Sequence, residues 1–351
     1  MSQPKTLEYK RLSETHPVFL DVYSPPLPAT TEPVLLPIVM FFHGGALTLG
    51  NRTSFFAHWL KDRVLAMGYA FVSADYRLLI PTTAQEIVED LQDAFKFVVE
   101  NELPGDGYVF RLDGDRIAVT GSSAGGHCAR LAVIHCKPRP KVLVDIYSSG
   151  GNLFTEFHAG IKPGEIKFVG QTIPHLEDAP FKSLTYPYSD GIPEVITDME
   201  VDPSKITNPN DPRLNIYCYH LQQGQFLDYY AGLHEPSMCA SFRTILSTTE
   251  NPTEEDFRRV IPEEKHGLFP QLCVDANWPP TILIHGVVDD VVPIEESRHF
   301  YNLIKTRSKA PVKLMEVEGA GGMHLFDIFP GAEEVHKAEF DAIADFIKGY
   351  L

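Results

Sequence analysis

Short apolar runs alternate along this chain with longer stretches in which apolar residues recur every three or four positions. Ile38-Val39-Met40-Phe41-Phe42 is apolar on both faces and predicts a fully buried strand over 38–42. The spacing of Phe56, Leu60 and Val64 predicts a helix over 53–67. Another is predicted over 84–101, where Ile87, Leu91, Phe95 and Val98 form one stripe against a charged face. Further strands are predicted over 69–74, 115–120 and 141–147, with a helix over 124–135 between the last two. Two β-prone segments, 5–12 and 17–23, precede a Pro-rich turn over 24–37.

After Gly150-Gly151 the rhythm breaks, and residues 151–278 are rich in Pro, Gly and aromatics without clean alternation. It resumes with a strand over 281–285, a helix over 294–305, a strand over 312–317 and a closing helix over 332–348. Strands alternating with crossover helices predict an α/β fold: a mostly parallel central sheet of about eight strands with helices on both faces. Residues 1–150 and 279–351 are then the core. Residues 151–278 are an insertion expected to cap the carboxyl ends of the strands, where open α/β sheets place their ligands. Its aromatic set, among them Phe154, Phe168, Tyr217, Phe226, Tyr229 and Tyr230, must build the insertion's own core and can also line a pocket.

Charge changes the picture by exclusion. Thirty Lys plus Arg stand against 47 Asp plus Glu, a net charge of −17, and no run of Lys and Arg interrupts that acidity. A nucleic-acid or anionic-membrane partner would therefore lack its electrostatic footprint. No apolar run approaches the roughly 20 residues that span a bilayer, and the polar N-terminus shows no signal-peptide core. The five cysteines are scattered without a C-x-x-C pair, which predicts reduced thiols in a cytoplasmic protein, with no disulfide and no metal site. No cofactor is expected, and the partner anticipated is a small-molecule ester or related acyl substrate.

The chemistry concentrates in two glycine-containing turns. Gly121-Ser122-Ser123-Ala124-Gly125 follows the strand at 116–120 and opens the next helix, the strand–turn–helix setting of a nucleophile elbow. Glycines two residues either side of Ser123 let neighbouring backbone pass, and the helix N-terminus offers free N–H groups to a developing oxyanion. His43-Gly44-Gly45-Ala46 falls immediately after the strand at 38–42. The amides of Gly44 and Gly45, with the N–H of Ala124, would complete an oxyanion hole, and His43 would order the loop.

These features together resemble the α/β-hydrolases, specifically the hormone-sensitive-lipase-like carboxylesterase branch. Members carry an HGG-type loop, a D-Y-R segment and G-x-S-A-G-G, matched here by His43 to Gly45, Asp75-Tyr76-Arg77 and Gly121 to Gly126. The resemblance covers residues 34–150 and 280–350, and the segment from Leu221 to Gly232 is similar to a cap segment of fungal members. Three positions depart from the pattern. Ala46 stands where many members have a third glycine, Ser122 where an Asp often precedes the nucleophile, and Leu78 to Pro81 follow the usual continuation of D-Y-R loosely. Asp75 and Arg77 are expected to form a loop-fixing ion pair.

The resemblance implies a triad in the order Ser, acid, His. Its pattern in the loop after 281–285 places the acid at Asp289, with Asp290 as the neighbouring alternative. His324, the one histidine in the loop after 312–317, is followed by Leu325-Phe326 as in the family and is the expected base. His285, His299 and His336 are expected to be packing or surface residues. The implied activity is carboxylic-ester hydrolysis through an acyl-enzyme. Alternatives on the same fold are amide or formamide hydrolysis, as in kynurenine-formamidase-like members, and a non-hydrolytic lyase of specialised metabolism. A non-enzymatic alternative is a small-molecule receptor like the gibberellin receptors, which lack the catalytic His; the Ser123, Asp289, His324 set argues against it.

Overall fold

Residues 3–201 and 211–351 are described in the computed structural model of the protein. The chain opens with an antiparallel pair, β1 (Lys5–Ser13) and β2 (His16–Tyr23), and β2 then pairs antiparallel with β4 (Ala70–Ala74). From there the sheet is parallel, running through β3 (Val34–Phe42), β6 (Val109–Ser122), β7 (Val142–Ile146), β10 (Thr281–Gly286) and β11 (Val312–Val317). The short β5 (Leu103–Pro104) adds antiparallel to β6, so the sheet has nine strands among the described residues. The mostly parallel α/β fold expected from the sequence is the fold observed.

The helices on the two faces are α1 (His58–Ala66), α2 (Ala84–Glu100), α3 (Ala124–His135), α9 (Ile294–Arg307), α10 (Ala332–Val335) and α11 (Lys337–Tyr350). Helix α2 carries the predicted stripe inward, with Ile87, Leu91, Phe95 and Val98 buried. Thr83 and Glu86 close its N-terminus as a capping box. Between β7 and β10 lie a small hairpin, β8 (Ile166–Phe168) and β9 (Gln171–Ile173), and helices α4 (Glu156–Ala159), α5 (Pro212–Gln222), α6 (Phe226–Ala231), α7 (Met238–Thr248) and α8 (Glu254–Arg258). Phe154, Phe242 and Phe257 stack and edge against one another there with centroids 4.7–5.3 Å apart, so part of the aromatic set does build an internal core. Arg213 of α5 ties this segment down by donating to the carbonyls of Leu79 and Ile80, at 2.7 Å each.

Several boundaries differ from expectation for local reasons. Strand β3 begins at Val34, inside the predicted turn, and absorbs Pro37 by an irregularity in its pairing with β6 between Leu36 and Ile38. Pro37 has no N–H to give the ladder, and the shifted register accommodates that loss. Helix α1 starts at His58 instead of 53, because the Asn51 side chain folds residues 51–54 into a turn and Phe55 takes a positive φ of 50°. The closing helix divides at His336, whose ring packs between Phe326 and Phe340.

Candidate active site

Ser123 stands between β6 and α3 with φ 54° and ψ −122°, a strained conformation for a residue with a side chain. The strain is held by close packing on glycine. A Cβ on Gly125 would lie 1.9 Å from the Phe42 carbonyl oxygen, and one on Gly121 would lie 2.2 Å from Gly125. The Ser123 N–H donates to the Ile146 carbonyl at 2.9 Å, and its own carbonyl accepts from Gly126 and Ser149 at 3.1 and 3.3 Å. The elbow is thus bonded to β7 and to the loop beyond it.

Three loops then meet. The Ser123 hydroxyl is 3.1 Å from His324 Nε2, and His324 Nδ1 is 2.7 Å from Asp289 Oδ2. All three side chains are buried, with Ser123 6% and His324 4% exposed. The second oxygen of Asp289 accepts the backbone N–H groups of Val291 and Val292 at 2.9 and 2.8 Å. Burial works against the charge on Asp289, but His324 and His285 outweigh it and hold its carboxyl well below the usual carboxylate range. Asp290 turns away and accepts the Gly170 N–H at 2.6 Å, on the turn joining β8 to β9. Of the two neighbouring carboxylates, Asp289 is the one against the imidazole.

The His43–Ala46 loop arches over the serine. A Cβ on Gly44 would lie 3.4 Å from Ser123 Cβ and 3.1 Å from the Ser122 carbonyl, while Gly45 sits at φ 111° with no room beside Leu49. Among the described residues no acceptor is bonded to the N–H of Gly44 or Gly45, and Ala124 is the first residue of α3, where a helix leaves its amide without an intrahelical partner. His43 orders this loop as expected: it is buried, its Nδ1 lies 2.7 Å from the Gly44 carbonyl, and its ring stacks on Tyr76 at 4.3 Å. Burial pushes its imidazole down to about 4.

Comparison with known proteins identifies the family and the fold. A family model described as BD-FAE matches residues 20–139. The chain is 30% identical over 329 residues to a protein named probable carboxylesterase M8 of Phoma sp., across 91% of this chain and 88% of that one. The chain belongs to the α/β-hydrolase superfamily, in the family of that carboxylesterase. It is also 26% identical to the non-reducing polyketide synthase pkbA of Emericella nidulans over 375 residues, 95% of this chain but 13% of that protein. Against the first several such synthases the chain spans about an eighth of their length. Solved structures share the fold. An α/β-hydrolase superfamily protein from Enterococcus faecalis superposes with a TM-score of 0.59 at 18% identity, over 99% of this chain and 98% of that one. An esterase of Pyrobaculum calidifontis gives 0.54 at 19% identity, over 99% and 85%.

Within this α/β-hydrolase, sequence reasoning missed two supports. His285 is fully buried, with Nδ1 2.7 Å from the Ser297 hydroxyl and Nε2 3.0 Å from the Val292 carbonyl and 3.3 Å from Asp289 Oδ2. Since a carbonyl and a carboxylate both accept, Nε2 must carry the proton and donate. His285 therefore positions the Asp289 carboxylate and is no surface histidine. The other support is Asp327, which accepts from Trp59 Nε1 at 2.9 Å and from the Tyr147 hydroxyl, anchoring the loop that carries His324. The Tyr147 ring also meets the imidazole edge-on at 4.9 Å. The expected Asp75–Arg77 pair does not form: Asp75 binds Arg52 at 2.7 Å, and Arg77 binds Asp90 at 2.9 Å.

An apolar cavity opens onto Ser123 and His324. Its wall includes Leu47, Leu49 and Phe55 from the core, and Phe168, Leu214, Tyr217, Phe226 and Tyr230 from residues 151–278. Among the described residues no cluster of three His, Cys, Asp or Glu is placed to hold a metal, and no helix is long and apolar enough to cross a membrane.

Proposed function

We propose that this chain hydrolyses a carboxylic ester through an acyl-enzyme on Ser123. The observation that carries the reading is the continuous hydrogen-bonded line from Ser123 Oγ through His324 to Asp289. His324 Nε2 takes the hydroxyl proton as Ser123 attacks the acyl carbon, and the amides of Gly44, Gly45 and Ala124 receive the oxyanion. The alcohol leaves with the proton that His324 returns. Water then attacks the acyl-enzyme, with His324 as base, and frees the acid. Asp289 fixes the Nδ1–H tautomer and stabilises the imidazolium. Residues 151–278 act as a cap whose aromatic side chains close the cavity over the substrate.

An organophosphonate probe should label Ser123 and abolish turnover, and peptide mapping reads the result. Labelling elsewhere, or none in folded protein, refutes the assignment. On p-nitrophenyl esters from acetate to palmitate, kcat/KM should peak among the shorter acyl chains; formamide turnover with inert esters would replace this reading by the amidase one. The likeness to polyketide synthases favours a second reading, in which the same serine cleaves an acyl thioester of a polyketide. Thiolate is the better leaving group, so the same triad suffices. An N-acetylcysteamine thioester cleaved in preference to its oxygen ester would select it.

A further inference from the structure

Helix α5 turns one face to the cavity, with Leu214 and Tyr217, three residues apart, in its wall. The Tyr217 ring meets Phe226 edge-on at 5.1 Å and lies 6.0 Å from the Phe168 ring, so a phenylalanine would fill the same place. Packing does not account for the hydroxyl. The other tyrosines of α5 and α6 use theirs inside the protein. Tyr219 donates to Asp178 at 3.0 Å, Tyr229 accepts the Tyr186 N–H at 2.7 Å, and Tyr230 donates to the Leu268 carbonyl.

Among the described residues nothing bonds the Tyr217 hydroxyl, yet it is not one of the buried polar atoms closed to a molecule the size of water. Tyr217 is 6% exposed, and the space its oxygen reaches is the cavity that also holds Ser123 and His324. The unpaired ring nitrogens of His127 and His158 in the same wall are closed off, so they do not compete for a ligand. Burial, with Glu296, Cys218 and Asp289 adding to it, raises the Tyr217 phenol above its ordinary value, so it keeps its proton and can donate. A donor taken from bulk water without an acceptor destabilises a fold, and natural structures keep few of them. An open, proton-bearing hydroxyl between two phenylalanines therefore marks where an acceptor on the ligand goes.

From this geometry we infer that Tyr217 is a specificity-determining residue whose hydroxyl donates to a ketone oxygen carried on the apolar body of the substrate, away from the scissile ester. The inference rests on the ester-hydrolase reading for its kinetics. An apolar wall alone discriminates poorly between groups of similar shape, whereas a site built to hydrogen-bond a polar group rejects the analogue without it.

The test uses matched esters that differ by one oxygen: methyl heptanoate against methyl 5- and 6-oxoheptanoate, and hexyl butyrate against its 4- and 5-oxohexyl counterparts. Titration of the released acid gives kcat/KM. At least one oxo member should be preferred by about five- to tenfold, the worth of one hydrogen bond. Tyr217→Phe keeps the ring and removes the donor, so that preference should collapse to about onefold. A tyrosine that serves packing alone would leave the ratio unmoved, with both members of a pair rising or falling together. The Tm of Tyr217→Phe should equal or exceed that of the native protein, since no bond inside the protein is lost; a lower Tm would show the hydroxyl bonded within the fold and overturn the inference. Calorimetric titration of the same esters into Ser123→Ala protein, with and without Tyr217→Phe, gives the ratio of Kd values without turnover. It decides the role of Tyr217 even if no ester is cleaved and the hydrolase reading falls. Equal Kd across every pair in Ser123→Ala protein, or an oxo preference that survives Tyr217→Phe, also overturns it.

Discussion

Asp289 accepts from two backbone amides and two imidazoles, while Asp290, one residue on, accepts from a distant amide at Gly170. Identical chemistry in adjacent residues is thereby sent to different work. Asp289→Asn should lower kcat by about 10³–10⁴-fold, because an amide favours the wrong His324 tautomer. Asp290→Asn should leave kcat little changed, since the amide oxygen still accepts from Gly170; stopped assays on one ester compare the two, and a large loss in Asp290→Asn alone would move the acid. The juxtaposition of Ser123, His324 and Asp289 was legible because the elbow, its order and its loops are local in sequence. His285 was not, because its partner lies across a loop closure that no local pattern records. The pairing of Arg52 with Asp75 and of Arg77 with Asp90 escaped for the same reason: sequence proximity suggested Asp75 with Arg77, and the fold exchanged both partners.

At the scale of elements, the junction of β6, Ser123 and α3 tolerates no added carbon. Gly125→Ala would drive a Cβ to 1.9 Å from a backbone oxygen of β3, and backbone cannot move aside as a side chain can. Loss of soluble protein or a large fall in Tm is expected. Gly349→Ala, in open space near the end of α11, should be neutral or raise stability by up to about 1 kcal/mol as a helical glycine is replaced; thermal melts of the two variants check the contrast, and comparable losses would contradict it. The helices that flank the sheet were legible from one-sided apolar stripes such as that of α2. Helix α5 was not, because every residue from Asn215 to Gln222 is buried. A helix covered on all sides shows no amphipathic period, so the segment 151–278 read as irregular.

For the molecule as a whole, buried neutral histidines make folding sensitive to acid. His220 of α5 stacks on Tyr229 at 3.7 Å, and burial, with His234 and Arg213 adding to it, pushes its imidazole down to about 3. An unfolded histidine titrates near about 6.5. Between those values the unfolded chain binds a proton that the folded chain refuses, so this group's share of stability is whole above that range and shrinks as pH falls through it. His220→Phe keeps the ring packing and removes the proton, so its Tm should gain on the native protein's as pH drops from 7 towards 4; parallel Tm curves would refute this. The hydrogen bond from Gly170 to Asp290 carries a different consequence. The hairpin turn that brings Phe168 and Val169 to the cavity is moored to the residue beside Asp289. On the reading proposed above, a change that loosened this hairpin to admit a bulkier substrate would also slacken the loop that holds Asp289, coupling substrate range to turnover.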